Sequence, residues 1–276
     1  NANRARSATD AIAIAEQWEV PALPDGSSSL ERKFYAGSSA TKFARANRQQ
    51  GVFDTHFSYE RQTVADTEGL YRLGVPIVGE YVPGVGLAEL YKRSGNATPT
   101  FYELGNTAAA SERFHAAIVE NKQASPFGAA VAVYTPKEYR GMRLFLSADA
   151  KSGVAVKPDG DIVSVFAANN SGRALIELAV SAGGTKLDAY DTVLAHFYAP
   201  HGFVVASRIA WDEKQVLKDW DKKTFSAFNN GEPDVVFMAR DDKYMGSYKS
   251  TDGKLVTKYE DAVEIQSEAI NVINEQ

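Results

Sequence analysis

The residues best placed to do chemistry lie between Asp161 and Phe203. A strand-like run, Asp161–Phe166, gives way to the polar stretch Ala167-Ala168-Asn169-Asn170-Ser171-Gly172, and a helical pattern follows at once over Ser171–Ala182. The first turn of a helix presents amide N–H groups with no intrahelical acceptor, at the positive end of the dipole. Gly172 lets a ligand approach the backbone closely, and Arg173 adds a cation. Phosphate is the natural guest of such a loop. An ordinary strand-to-helix turn built around a glycine accounts for the same residues.

Other chemistry is thin. His56, His115, His196 and His201 show no metal-ligand spacing, and Asp241-Asp242 and Glu260-Asp261 read as solvated acidic faces. With no cysteine in the chain, disulfides, thiolate metal sites and a cysteine nucleophile are excluded. Gly-x-Ser-x-Gly, a Walker loop and a dinucleotide fingerprint are all missing.

The elements that would position the loop are legible in the middle of the chain. Ala109–Lys122 reads as a helix, with Phe114, Ala117 and Ile118 on one face. Ala129–Tyr134 reads as a strand and Pro136–Tyr139 as a turn or short helix. Met142–Leu146, Val154–Val156 and Asp161–Phe166 form an antiparallel meander across two tight turns. After the Ser171–Ala182 helix, Gly183-Gly184 stops it and Thr185–Asp188 resumes a strand. A helix over Thr192–Tyr198, a strand over Phe203–Trp211, a helix over Asp212–Trp220 and a strand over Pro233–Met238 follow.

The flanks are less regular. Helices are expected over Ala5–Trp18, over Thr41–Gln50 with Lys42, Arg45 and Arg48, and around Leu87–Arg93. A C-terminal helix over Val256–Ile273 carries Ala262, Ile265, Ala269 and Val272 on one face, which needs a partner surface in the body or in another protein. Three segments result: an N-terminal helical and irregular extension over 1–108, a domain over 109–250 and a C-terminal helix over 251–276.

The chain has 276 residues, 44% hydrophobic and 24% charged, with a formal net charge of −5. That is globular composition, which excludes wholesale disorder, and it lacks the basic footprint of a nucleic-acid-binding domain. No apolar run reaches membrane-span length, and Ala11–Ala15 is too short for the core of a signal peptide. A cytoplasmic protein is expected.

From Asp161 onward the chain resembles the GNAT acetyltransferase superfamily, over about residues 109–242. The family's cofactor loop, Gln/Arg-x-x-Gly-x-Gly/Ala, aligns with Asn169-Asn170-Ser171-Gly172-Arg173-Ala174, and its late aromatic-Tyr…Gly-Phe signature with Phe197-Tyr198…Gly202-Phe203. The resemblance implies an α/β fold with a mixed, mostly antiparallel sheet flanked by helices, here with an added N-terminal segment and C-terminal helix. It also implies that Asp161–Phe166 and Thr185–Asp188 are parallel neighbours that splay to admit the pantetheine arm of acetyl-CoA. The amides of Asn169–Ala174 would hold the pyrophosphate. A backbone N–H at Val165 or Phe166 would polarise the thioester carbonyl, and Tyr198 would protonate the departing thiolate.

Asn169 stands where the family has Gln or Arg, and Asp161–Phe166 contains no Glu to act as base. Asp161, Asp188, Asp191, His196 or a water chain remain for that role. The implied activity is transfer of an acetyl group from acetyl-CoA to an amine of an unknown acceptor. The alternative is a catalytically inactive GNAT-like binding or structural module of a phage protein, placed in the host cytoplasm or the virion. Its ending in Pro233-Asp234-Val235-Val236-Phe237-Met238 resembles domains of phage and mobile-element proteins. Separately, Phe34-Tyr35-Ala36-Gly37-Ser38-Ser39 resembles the opening of NAD-using ADP-ribosyltransferases, without a paired downstream glutamate motif.

Overall fold

The computed structural model describes residues 59–62, 73–168, 170–214, 216, 219–244 and 247–275. The expected helices over Ala5–Trp18 and Thr41–Gln50, and the Phe34–Ser39 segment, lie outside them. The fold is mixed α/β, with mostly antiparallel sheets, flanking helices and a helix at the C-terminal end. The described residues form two compact units, which divide between Gly184 and Thr185.

The first unit is built on a six-stranded sheet, all antiparallel, in the order β1-β2-β3-β4-β5-β6. These strands are β1 (Tyr59–Gln62), β2 (Ile77–Pro83), β3 (Phe101–Leu104), β4 (Arg143–Ser147), β5 (Gly153–Val156) and β6 (Ile162–Phe166). The expected meander is therefore present as β4–β5–β6. The sheet also takes β1, β2 and β3 from residues assigned by sequence to the N-terminal extension.

Helix α1 (Val85–Arg93) follows β2 and buries Leu87 and Tyr91 four residues apart. Helix α2 (Ala108–Ala124) starts at Thr107, whose hydroxyl accepts from the Ala110 amide at 3.2 Å. It packs Ala110, Phe114, Ala117 and Ile118 against Tyr102, Leu104, Leu144, Leu146 and Ala155. The single turn α3 (Pro136–Tyr139) carries a capping box between Thr135 and Glu138.

The sequence reading of Ala129–Tyr134 as a strand is overturned. Gly128–Ala130 is a 3₁₀ turn and the residues after it join no sheet. Side chains take the place of ladder partners: Lys122 Nζ donates to the Val131 carbonyl, Ser164 Oγ to that of Ala132, and the Tyr134 amide donates to the Tyr139 hydroxyl. Val131, Val133 and Tyr134 are half-buried against the core, so the apolar run reflects contact with the core without strand pairing.

In the second unit, β7 (Lys186–Tyr190), β8 (Phe203–Ile209), β9 (Val235–Arg240) and β10 (Lys254–Val256) form a sheet in the order β10-β8-β9-β7. Only β10 pairs in parallel, with β8. Helix α5 (Val193–Tyr198) is capped by Thr192, and helix α6 (Tyr259–Asn274) lies on β8 and β9.

Two further expectations change here. No helix forms among the described residues of Asp212–Trp220. Asp212 and Asp221 instead turn the chain by accepting amide bonds from Lys214, Lys223 and Thr224, while Trp211 and Trp220 pack against Tyr190. The C-terminal helix starts at Tyr259 rather than Val256, because 254–256 are spent on β10. Its buried residues are Ala262 and Gln266, while Val272 is 55% exposed.

Among the described residues no helix is long and apolar enough to cross a membrane.

Candidate functional site

Strand β6 is at the edge of its sheet, and a bulge distorts it immediately before the candidate loop. Gly153 pairs with Phe166 and Ala155 with Val163, so Ser164 and Val165 together face Val154 alone. Ser164 takes the left-handed conformation, φ 54°, and its hydroxyl is anchored 2.9 Å from the Tyr139 hydroxyl and 3.1 Å from the Ala132 carbonyl. The extra residue reverses the facing of the strand end, so Val163 and Phe166 share the α2 side, which strict alternation forbids. Phe166 then lies over Gly153, where an added Cβ would sit 2.7 Å from its ring; only glycine fits under it.

The bulge bears on the expected pairing of Asp161–Phe166 with Thr185–Asp188. That expectation is overturned: β6 belongs to the six-stranded sheet and β7 to the four-stranded one. A bulged edge is a poor template for a further strand. β7 finds a regular antiparallel partner in β9, with Lys186 opposite Ala239 and Tyr190 opposite Val235.

Beyond Phe166 the loop is tied down at several points. Ser152, in the β4–β5 turn, accepts from the Ala168 amide at 2.9 Å, and its Oγ lies 2.7 Å from Ser171 Oγ. The Ser171 amide donates to the Ala168 carbonyl at 3.1 Å. Asn170 is left-handed, φ 68°, a conformation asparagine tolerates better than most residues. Asn169 lies outside the described residues.

Helix α4 (Gly172–Ser181) begins immediately after this loop. Leu175 is the first residue whose amide bonds back, to the Ser171 carbonyl at 2.9 Å. Ser171 is the N-cap, yet its hydroxyl makes no cap bond. It turns instead toward Ser152 and the Ala168 carbonyl, 2.7 Å from each. The amides of Gly172, Arg173 and Ala174 thus lack the side-chain acceptor that normally closes a helix start. Arg173 Nε is buried without a hydrogen-bond partner. Burial lowers the affinity of this guanidinium for its proton, and Tyr91 and Glu177 offset part of that cost. Unclosed amides beside a buried cation form a site suited to an anion.

The remaining expected residues fall as follows. Val165 is half-buried within the bulge, and Phe166 is buried with its ring 5.8 Å from that of Phe114. Tyr198 belongs to the second unit, on α5, where it is buried with its ring 6.1 Å from that of Phe203. Burial, reinforced by Asp188, pushes its phenol well above the usual tyrosine range. It therefore keeps its proton throughout the neutral range.

Among the base candidates, Asp161 is held by Lys157 Nζ at 2.7 Å, and Asp191 is bound by Arg208 Nη2 at 2.6 Å. Both carboxylates serve ion pairs. His196 sets its ring edge-on to Tyr248 at 4.8 Å.

Sequence reasoning missed Tyr91, Asn96, Ser152 and Ser164, which shape the loop from outside it. In the loop itself only Asn170 carries a local signal, since asparagine tolerates the left-handed conformation it takes; the other residues act across long sequence separations. Comparison of the chain with protein-family models, with curated proteins and with solved structures finds no match.

Proposed function

We propose that the chain is an acyl-CoA-dependent N-acyltransferase that moves an acetyl group from acetyl-CoA to an amine. The observation that carries this reading is the start of α4, where the Ser171 hydroxyl makes no cap bond and Arg173 Nε is buried without a hydrogen-bond partner. A pyrophosphate would supply the acceptor atoms and negative charge that this helix start lacks. The sequence resemblance supports the choice of acetyl-CoA over other phosphates. The reading rests on the loop and helix, not on strand pairing, since β6 and β7 share no ladder.

In the proposed reaction the acceptor nitrogen attacks the thioester carbonyl, an N–C bond forms and the C–S bond breaks. The amine proton leaves to a base, and the CoA thiolate takes up a proton from a general acid, the role that the sequence resemblance implies for Tyr198. An N–H at Val165 or Phe166 stabilises the carbonyl oxygen. Burial and Asp188 keep the Tyr198 phenol protonated at neutral pH and also make it a weaker donor, which the transfer to the thiolate has to overcome.

A second reading is a GNAT-shaped module without catalysis, of the phage type, that binds a partner protein. Tyr198 is buried against Phe197 and Phe203, the setting of a packing aromatic and not of a side chain open to substrate, and this favours the second reading. Val272 on α6, 55% exposed, would belong to such a partner surface.

A screen of amines and proteins for CoA release from acetyl-CoA separates the two. The enzyme reading expects release with at least one acceptor, and Tyr198→Phe should then lower kcat roughly 100-fold or more while leaving acetyl-CoA affinity nearly intact. Release that is unchanged in Tyr198→Phe removes Tyr198 from the chemistry. No release with any acceptor favours the non-catalytic module.

A further inference from the structure

The loop before α4 is clasped from a part of the chain that nothing in the sequence linked to it. Tyr91, near the end of α1, is 4% exposed, and its hydroxyl donates to the Asn170 carbonyl at 2.8 Å. The turn after α1 reaches the same residue, with Asn170 Nδ2 donating to Asn96 Oδ1 at 3.4 Å. That turn is itself rigidly closed: the Asn96 amide bonds to the Tyr91 carbonyl at 3.0 Å and that of Gly95 to the Lys92 carbonyl at 3.1 Å, with Gly95 at φ 74°. This is a helix end sealed by a left-handed glycine, so Tyr91 and Asn96 are presented as one piece.

Asn170 needs such a clasp. Its left-handed backbone is uphill for a residue with a Cβ, and a carbonyl with no fixed donor would let the peptide turn over. A flip at Asn170 would carry the Ser171–Gly172 start of α4 with it. On the other side, Ser152 fixes Ala168 and Ser171. The loop is therefore held between the β4–β5 turn and the α1 turn, with the first amides of α4 aimed by both.

We propose that Tyr91, assisted by Asn96, is a positioning residue for the phosphate-bearing part of the ligand: it holds the Asn170 peptide so that the Gly172–Ala174 amides converge on one anion. This inference rests on the acyl-CoA reading above. It assigns α1 a role in binding through the Asn170 peptide.

The test compares two probes on the full chain. CoA carries the pyrophosphate, and pantetheine carries the same arm without any phosphate. CoA binding is measured by calorimetry and pantetheine binding by ligand-observed NMR. Tyr91→Phe removes one hydrogen bond, so CoA affinity should fall roughly 3- to 10-fold. Pantetheine affinity should be unchanged, because a positioning role for phosphate leaves the arm alone. Asn96→Ala should give a smaller loss of the same kind, and it decides the matter if Tyr91→Phe fails to fold. Equal losses for both probes, or none for CoA, overturn the positioning role and leave the acyl-CoA reading standing. Failure of the wild-type chain to bind CoA removes that reading and the inference with it.

Discussion

At residue scale, Ser171 and Gly172 decide what the loop can do. A serine at a helix N-cap ordinarily accepts from the second or third amide, which stabilises the helix by about 1 kcal/mol. Ser171 gives up that bond for contacts with Ser152 and Ala168. The loop is firmer as a result, and the helix start is left for another acceptor. Gly172→Asp should therefore fill the site from within: its carboxylate would meet the same amides, at a helix position where a negative charge is welcome. The expected outcome is at least a tenfold loss of CoA affinity by calorimetry; because Gly172 is buried, the melting temperature without ligand is measured alongside to show that the variant folds. Unchanged affinity in this variant would take the loop out of the ligand site.

At the scale of elements, Gln266 shows how α6 is docked. It is 5% exposed, and Nε2 donates to the carbonyls of Leu187 at 2.9 Å and Met238 at 2.8 Å, residues paired across β7 and β9. Ser207 adds a bond to the Ala262 carbonyl at 2.8 Å. Gln266→Leu keeps the volume but strips the amide from two buried carbonyls. Unsatisfied buried polar groups cost about 1–3 kcal/mol. A lower denaturant midpoint with an unchanged slope is expected, and an unmoved midpoint would show that packing alone seats the helix.

Gln266 also shows what the sequence left out of this helix's inward face, which holds the buried Ala262 and the half-buried Ile265 and Ala269 as expected but not Val272. Counting apolar residues selected Ala262, Ile265, Ala269 and Val272, because a glutamine is ordinarily placed on the wet side. The inward face includes 266, one helical turn beyond 262, and that choice depends on carbonyls more than 70 positions away in the case of Leu187. The same limit hid the bulge at Ser164. Its hydroxyl partners come from elsewhere in the chain: Tyr139 on α3, and the carbonyl of Ala132 in a segment that the sequence presents as a strand and the structure does not. Elements set by local signals were legible: α2 with its Phe114/Ala117/Ile118 face, the turns of the β4–β5–β6 meander, and α4 stopped by Gly183-Gly184.

At the scale of the whole molecule, the division at Gly184–Thr185 separates the candidate loop, in the first unit, from Tyr198, in the second. Binding and acid catalysis are thus separable claims, and binding is the more basic. The direct test is thermal unfolding of the wild-type chain with and without acetyl-CoA, since a ligand that binds only the folded chain stabilises it by mass action. At 100-fold excess over Kd the gain is about 2.7 kcal/mol. The account predicts a melting temperature that rises with acetyl-CoA concentration and a smaller rise for Gly172→Asp. A melting temperature that stays fixed up to millimolar acetyl-CoA would contradict it.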